Sequence, residues 1–570
     1  MKFIKLAEIY KELEHITSGN KMREILSSFY KRISKSDIKA ATYLTMGEIA
    51  SPYDDIVIGM ADKMVIRSIA KASEKTKKEV EKVYKKLGDI GLTAEQFIQG
   101  TKSKLAILEV FTQLHKIAAA SGIGSQEVKI NILSELLKKA TKLEARYIAR
   151  IVSGRIRLGL GDKTILDSLS IAKTGSKEHR KELDEAYHVC PDVGNIAEVY
   201  LNRGLKGLEK IDVQLNRPVQ MMLCQRVARI SEAKEKLGLP VAVEFKYDGE
   251  RIQAHKKGND IKLYSRRLDD ITGQFPDVVE QIKKNIKAKT VIIEGEAVAV
   301  GSKGNLLPFQ KLMQRKRKHK IEEYVRKIPV CLFLFDLLYL NGKSFIHMPY
   351  FQRHNALKKI VKETNNIRIA SRTICRTVDC IEQFFENIVK KGGEGVVIKS
   401  LSKDSFYEAG KRGWNWIKWK PEYAKGLRDT FDLVVVGAFF GRGRRAGTYG
   451  ALLCAAYNKV KDRFETFCKL GSGFTDKQLK ELPEKFKRFV VKTKPARVLI
   501  EKEMKPDVFF VPEIVVEVTG AEITKSPNHT CAKEKGQGLA LRFPRFLRYR
   551  DKKPEDATCV KEILRMFKKK

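Results

Sequence analysis

The sequence predicts a multidomain protein: an all-α N-terminal region, an α/β (α+β) middle region with largely antiparallel strands, and a C-terminal β-barrel. Three observations carry this. Between Met1 and Cys190 the single proline is Pro52, and apolar residues recur at helical spacing. From about residue 215 short β-rich runs alternate with helical stretches. After Phe431 strands and turn signals dominate. The regions are expected at 1–214, 215–426 and 427–570.

In the first region Ile107, Phe111, Leu114 and Ala118 mark one helical face. Ile132, Leu133, Leu136, Leu137 and Ala140 mark another, and both stripes read as core. The stretch Ser153–Thr164 differs, because Gly154, Gly159 and Gly161 interrupt the basic residues Arg155, Arg157 and Lys163. Small residues let a backbone approach a polyanion, and such cations meet phosphates. A loop with solvated charges fits the composition equally. At Leu215-Asn216-Arg217-Pro218 the pattern turns strand-rich. Strands are expected at 241–247, 261–265, 291–300, 331–340, 395–400 and 414–420, without regular βαβ units. Phe431–Gly437 reads as a strand, followed by a glycine- and arginine-rich loop at 441–447. Further strands near 450–457, 464–470, 508–511 and 514–518 predict the small barrel.

Composition bounds the partners. The net charge is +42, from 111 Lys plus Arg against 69 Asp plus Glu, and the excess is spread along the chain. A distributed positive charge suits a polyanion, since neutralised phosphates release counterions. A lysine-rich surface kept for solubility is the plainer reading. The nine cysteines are scattered, and Cys375 and Cys380 are the closest pair. Without a Cys-x-x-Cys they argue against a zinc ribbon and a secreted disulfide framework, and for a reducing intracellular, cytoplasmic setting. No apolar run reaches membrane-span length, so no membrane partner is expected. Met1-Lys2-Phe3-Ile4-Lys5 turns polar at once and lacks a signal-peptide core. There is no His-Glu-x-x-His and no Gly-x-x-x-x-Gly-Lys-Ser/Thr, which disfavours catalytic zinc and a P-loop.

Val241, Val243 and Phe245 lead into Lys246-Tyr247-Asp248-Gly249. Strand alternation puts Glu244 and Lys246 on one face. Asp-Gly suits a tight turn, where glycine accepts backbone angles other residues resist. A lysine at a strand end is a good place for a covalent nucleophile. The plain alternative is a surface lysine on a hairpin, since Lys-x-Asp-Gly recurs by chance in roughly one chain of this size in six. Glu294 and Glu296 share a strand face and suit a ribose hydroxyl or a metal, or form an exposed pair on an edge strand. In residues 414–420 alternation groups Trp414, Trp416, Lys418 and Lys420, and leaves Trp419 for the core. All three tryptophans fall in this stretch.

Read in order, these stretches resemble the motifs of the ATP-dependent DNA ligases of archaeal and eukaryotic replicative type, within the covalent nucleotidyltransferase superfamily. Lys246-Tyr247-Asp248-Gly249 looks like the first motif and Ser265-Arg266-Arg267 the second. Glu294-Gly295-Glu296 resembles the third, followed by Phe335-Asp336-Leu337-Leu338-Tyr339. Glu394–Lys399 resembles the fourth, Trp416–Lys420 the fifth, and Leu541–Phe546 opens the sixth. The resemblance covers nearly the whole chain. It implies a helical DNA-binding domain, an adenylation domain and an OB-fold, acting together as a monomer on nicked double-stranded DNA. It also implies ATP and Mg2+ as cofactors and a sliding clamp as a partner, though no clear clamp-binding motif is present.

By the same resemblance Lys246 is the nucleophile and carries AMP. It must be neutral to attack, whereas an ordinary lysine has a pKa near 10.4; nearby cations and a bound metal disfavour the charged form. ATP contacts are expected from Glu244, Arg251, Arg266, Glu296, Phe335, Lys399, Lys418 and Lys420, with Phe335 stacked on adenine and Lys399 on a phosphate. Metal contacts are expected from Glu296 and Glu394, and DNA contacts from Arg155, Arg157, Lys163, Arg548 and Arg550. The run Arg315–Lys320 is read as a solvated or DNA-facing charged face, like its counterpart in the ligases, in preference to a targeting signal.

Two departures stand out. The family's Pro-Met-Leu, preceded by a basic residue, is replaced by Gln220-Met221-Met222-Leu223. The sixth motif reads Arg548-Tyr549-Arg550-Asp551-Lys552-Lys553-Pro554, one residue short, so Lys552 and Lys553 both compete for its lysine role. RNA ligases and mRNA-capping guanylyltransferases share the covalent lysine, but the long helical region and basic sixth motif disfavour capping. The missing zinc cysteines disfavour NAD-dependent ligation. A non-catalytic nucleic-acid clamp is the remaining alternative, disfavoured by the intact Lys246, Glu296, Glu394, Lys418 and Lys420.

Overall fold

The computed structural model describes residues 1–570 except 17, 55, 228, 302–303, 316–320, 392, 421–429, 442–446 and 569–570. The expected 426/427 boundary, residues 316–320 of the basic run and residues 442–446 of the glycine–arginine loop lie outside the described residues. The chain forms two compact units, Met1–Lys420 and Pro421–Lys570.

The first unit begins with thirteen α-helices among the described residues, ending at Leu208. In α1 (Ile107–Ala119) the buried stripe is Ile107, Val110, Leu114 and Ile117, with Phe111 and Ala118 half-buried beside it. In α2 (Ser125–Lys138) Leu133, Leu136 and Leu137 are buried, as the spacing predicts. α3 (Lys142–Val152) opens on a capping box: the Thr141 hydroxyl accepts from the Glu144 N–H at 3.3 Å, and Glu144 accepts from the Thr141 N–H at 2.8 Å. Arg150 of α3 is buried between Asp89 at 3.1 Å and Glu14 at 3.0 Å, which ties three separate segments together. The loop from α3 to α4 (Asp162–Thr174) places Gly154, Arg157 and Gly159 at φ of +66°, +61° and +67°. Glycine takes these angles freely. Arg157 does not, and its guanidinium is held by Asp89 at 2.7 Å.

The rest of the first unit holds two mostly antiparallel sheets. One contains β1 (Val241–Lys246) between β6 (Arg372–Cys375) and β7 (Gly395–Ser400), with β8 (Trp416–Trp419) beyond β7. The other runs β3 (Asp260–Tyr264), β2 (Glu250–Lys257), β4 (Thr290–Ala299) and β5 (Val330–Leu340). Helices Ile230–Leu237 and Val378–Lys390 bury Ile230, Ala233, Ile381 and Ile388 with Val241, Val243, Val396 and Ile398 of the first sheet. Helices Pro276–Asn285 and Tyr350–Ile360 cover the second. Between the sheets Tyr247 stacks on Phe333 at 4.0 Å, and Trp416 packs with Ile292 and Leu338. β4 is therefore an inner strand, not an edge.

Two further expectations change. Arg315 is buried and pairs with Asp277 at 2.7 Å, so the basic run begins in the core and not on a solvated face. Cys375 and Cys380 are joined by a disulfide, because the turn from β6 into the helix at Val378 brings their Cα atoms to 5.5 Å.

The second unit is strand-rich. β9 (Phe431–Phe440), β10 (Tyr449–Asn458), β11 (Arg463–Leu470), β12 (Val515–Thr519) and β13 (Arg545–Arg550) belong to one eight-stranded sheet. Glu522–Ser526, Cys531–Glu534 and Gln537–Arg542 form a second, three-stranded sheet that the sequence pattern did not reveal.

Asp336 and Arg353 are both fully buried, with Nε–Oδ1 at 2.7 Å and Nη2–Oδ2 at 3.0 Å. Burial alone would raise the Asp336 carboxyl, but the guanidinium outweighs it and holds the group below its usual range. Arg353 also donates to the carbonyls of Met348 and Ser405. Arg353→Met should cost about 3–5 kcal/mol in chemical denaturation, because it strands a buried carboxylate.

Candidate active site

Lys246 ends β1 and is paired in register with Gly395 of β7. Its ammonium donates to the Glu394 carboxylate, and Lys420, just past β8, donates to the other oxygen of the same carboxylate. These three side chains line a cavity of about 420 Å³ in the first unit. Lys418 lines it too; burial, with the cations Lys246, Arg412 and Arg266 nearby, holds its amine below the usual range.

Gly249 is needed here, though not for a left-handed turn as the Asp-Gly pattern predicts. Its φ is outside that region, and a β-carbon at 249 would come within 2.3 Å of the Ala297 carbonyl oxygen. The close approach brings the Lys246–Gly249 segment against β4, which carries Glu296. The Glu296 carboxyl is pushed up to about 7: burial raises it, Lys246 and Arg251 pull it back, and Glu250 and Asp248 raise it further. Glu294, two residues earlier, is fully buried behind the cavity. It pairs with Arg251 at 2.8 Å and accepts from the Tyr407 hydroxyl at 2.9 Å. Of the two glutamates, Glu296 lines the cavity and Glu294 serves to hold Arg251.

Arg251 also donates to the Met222 carbonyl at 2.7 Å, and its guanidinium lies 5.4 Å from the Phe335 ring centre and 5.5 Å from Trp416. Thus the Gln220–Leu223 segment reaches the site through its backbone despite its unusual residues. Phe335 is the extra residue of a β-bulge: Glu294 pairs with Asp336 and Gly295 with Leu334. A bulge re-aims a side chain, and Phe335 lines the cavity edge-on to Trp416.

Glu244 and Lys399 form a buried ion pair at 2.8 Å. Lys399, 1% exposed, also donates to the Phe335 carbonyl at 3.0 Å, and Glu244 accepts from the Tyr350 hydroxyl. Both residues line the cavity, and Lys399 also supports the backbone that carries Phe335. Arg266 lines the cavity. Trp414 does not; it lies 42% exposed with Lys236 at 5.0 Å from its ring, while Trp419 stacks on Phe385 in the core. Cys224, Phe309 and Arg412 line the cavity without a sequence signal.

Among the described residues no group of three or more His, Cys, Asp or Glu is placed to hold a metal by itself. Glu296 and Glu394 with nucleotide phosphates make a donor set that fits a hard cation such as magnesium. The cations predicted for DNA lie elsewhere. Arg155 pairs with Asp62 at 3.0 Å, Arg157 with Asp89, and Lys163 is the second residue of α4. Arg548 and Arg550 stand on β13 of the second unit.

Three family models match: "ATP dependent DNA ligase domain" over residues 221–420, "DNA ligase N terminus" over 2–170, and "ATP dependent DNA ligase C terminal region" over 445–553. The chain belongs to the ATP-dependent DNA ligases. It is 45% identical to DNA ligase 1 of Methanosarcina mazei over 572 residues, covering 99% of each chain. It is 44% identical to DNA ligase 2 of Thermofilum pendens, covering 99% of this chain and 96% of that one. The solved structure designated Pmar-Lig_Pre shares the fold over 96% of this ligase and 99% of its own chain, at 18% identity and a TM-score of 0.53.

Folding raises the Glu296 carboxyl from the ordinary 4.5 to about 7, so the folded state favours its protonated form. Above pH 7 the charged form costs stability, and the cost fades as pH falls toward 4.5. Glu296→Gln should therefore raise the denaturation midpoint of the nucleotide-free ligase more at pH 8 than at pH 5.

Proposed function

We propose that Lys246 is the nucleophile through which this ATP-dependent DNA ligase seals nicks in duplex DNA. The observation that supports the reading is the convergence of Lys246, Lys418, Lys420, Arg251 and Arg266 with Glu296 and Glu394 on one cavity. In the first step the Lys246 amine attacks the α-phosphorus of ATP. A P–N bond forms, the P–O bond to the β-phosphate breaks, and pyrophosphate leaves. In the second step an oxygen of the DNA 5′-phosphate attacks the same phosphorus and Lys246 departs. In the third the 3′-hydroxyl attacks the activated 5′-phosphate and AMP leaves.

The residues divide this work. Phe335, aimed by its bulge, offers a flat apolar face to adenine. Arg251 and Arg266 meet the ribose and phosphates, and Lys418 and Lys420 neutralise charge as it develops. Glu394 keeps Lys246 and Lys420 together until a substrate takes over. Glu296 and Glu394 would hold magnesium, which supplies further neutralisation at the phosphates. Arg155, Arg157 and Lys163 would grip the duplex backbone, and the strand-rich second unit is read as an OB-fold.

Incubation with α-labelled ATP and magnesium should label Lys246, and nicked DNA should discharge the label. Lys246→Ala should keep DNA binding and lose both labelling and joining; joining that persisted would refute the mechanism. Label from GTP alone would point to capping chemistry. Replacing Arg155, Arg157 and Lys163 together by alanine should weaken duplex binding and flatten its log–log salt dependence by roughly 0.9 per lost contact.

A further inference from the structure

The disulfide between Cys375 and Cys380 joins two elements that are held with unequal firmness. β6 is the four-residue edge of its sheet and pairs with β1 alone. One flank of its backbone has no strand beside it, and such an edge opens easily. The helix Val378–Lys390 buries Ile381 and Ile388 in the core. Its first turn is capped by Thr377, whose hydroxyl accepts from the Cys380 N–H at 3.2 Å. The S–S bond therefore ties the outer end of a weak strand to the start of a firm helix.

The other end of β6 reaches the cavity. Cys375 is opposite Val241 of β1, and Arg372 is opposite Glu244. Arg372 Nη1 donates to the Tyr350 hydroxyl at 3.4 Å, and that hydroxyl donates to Glu244, which lines the cavity. Phe245 donates its N–H to the Ser371 carbonyl, just before β6, at 3.0 Å. The setting of Glu244 thus depends on a strand whose far end the disulfide secures. The two sulfurs differ in access: Cys375 is fully buried, and Cys380 is half-buried beside the exposed Asp379.

We propose that Cys375 and Cys380 form a thiol–disulfide switch that sets ATP affinity at the cavity through β6. This rests on the ligase reading above. The thiolate of a dithiol reductant attacks Cys380 Sγ, the S–S bond breaks, and Cys375 leaves as a thiolate that takes a proton. The second thiol of the reductant then attacks the mixed disulfide and frees Cys380. Two electrons and two protons pass to the protein, and the reductant leaves as its own disulfide. A disulfide oxidant runs the same exchange backward. In the reduced protein β6 is kept by its ladder to β1 and by packing alone. Its outer end opens, Arg372 moves off Tyr350, and Glu244 loses its fixed orientation. Lys246, Lys418, Lys420 and Glu394 stand on or beside β1, β7 and β8, so the switch acts on binding and spares the chemical step.

Alkylation of the unfolded chain, taken from protein never exposed to reductant, should leave only Cys375 and Cys380 unmodified, because the other seven cysteines are free. Dithiothreitol should raise the ATP concentration that half-saturates adenylyl-Lys246 formation by about threefold or more, with the saturated rate changed less than about twofold. Oxidised dithiothreitol should reverse the shift. Cys375→Ala with Cys380→Ser should behave as the reduced protein under both conditions. Hydrogen exchange at residues 371–376 should quicken on reduction, which reads the brace without any labelling. Alkylated Cys375 and Cys380 in the untreated protein, unchanged exchange, a half-saturation that dithiothreitol does not move, or a dithiothreitol effect that persists in the double variant would overturn the proposal. A protein that takes no label from ATP in either state would instead refute the ligase reading itself.

Discussion

The first unit's chemistry depends on one carboxylate shared by two ammoniums. Glu394 accepts from Lys246 and from Lys420, which arrive on different strands. Without it two like charges would face each other across the cavity mouth. At 4 Å and an effective dielectric of 20 that repulsion is about 4 kcal/mol. The strand register makes the meeting possible. Gly395, next to Glu394, has φ +141°, and a β-carbon there would come within 2.2 Å of the Trp419 carbonyl oxygen. Glycine lets the ends of β1, β7 and β8 close on the glutamate, which accounts for the Glu-Gly pair physically.

The same device recurs at several cations. Arg251 leans on Glu294, Lys399 on Glu244, Arg155 on Asp62 and Arg157 on Asp89. In a chain with 111 basic and 69 acidic side chains, these acids each hold one of these cations in place. Burial separates two uses. Lys399 is sealed in, and with Glu244 it fixes the bulged strand under Phe335. Arg155 and Arg157 are instead about half exposed, so their guanidinium groups stay open to solvent beside their acids.

Periodicity made much of this legible. Strand alternation put Glu244 with Lys246 and Lys418 with Lys420, and helical stripes located α1 and α2, because side-chain direction is a local property of the backbone. What stayed hidden is partner choice, which is long-range. Nothing near Glu294 in sequence says that Arg251, Gln253 and Tyr407 will enclose it while Glu296 faces the cavity. Nothing near Lys399 says that Glu244 will claim it. Gly249 was visible as a glycine, but its reason, the Ala297 carbonyl, lies on another strand. The bulge that aims Phe335 has no composition signal, and Arg315 looked solvated only because five further basic or polar residues follow it.

A site built this way starts neutralised, and that constrains how it works. On the mechanism proposed above, ATP would bring phosphates that compete with Glu394 for the same ammoniums, so binding would exchange one anion for another. The exchange frees a carboxylate beside newly bound phosphates, where a divalent cation is the natural counter-charge. Glu296, whose carboxyl burial pushes up to about 7, would be a further donor to such a cation. With those roles, nucleotide and metal would be favoured together over either alone. Reversing the exchange once AMP has left would return Glu394 to its two lysines and reset the site.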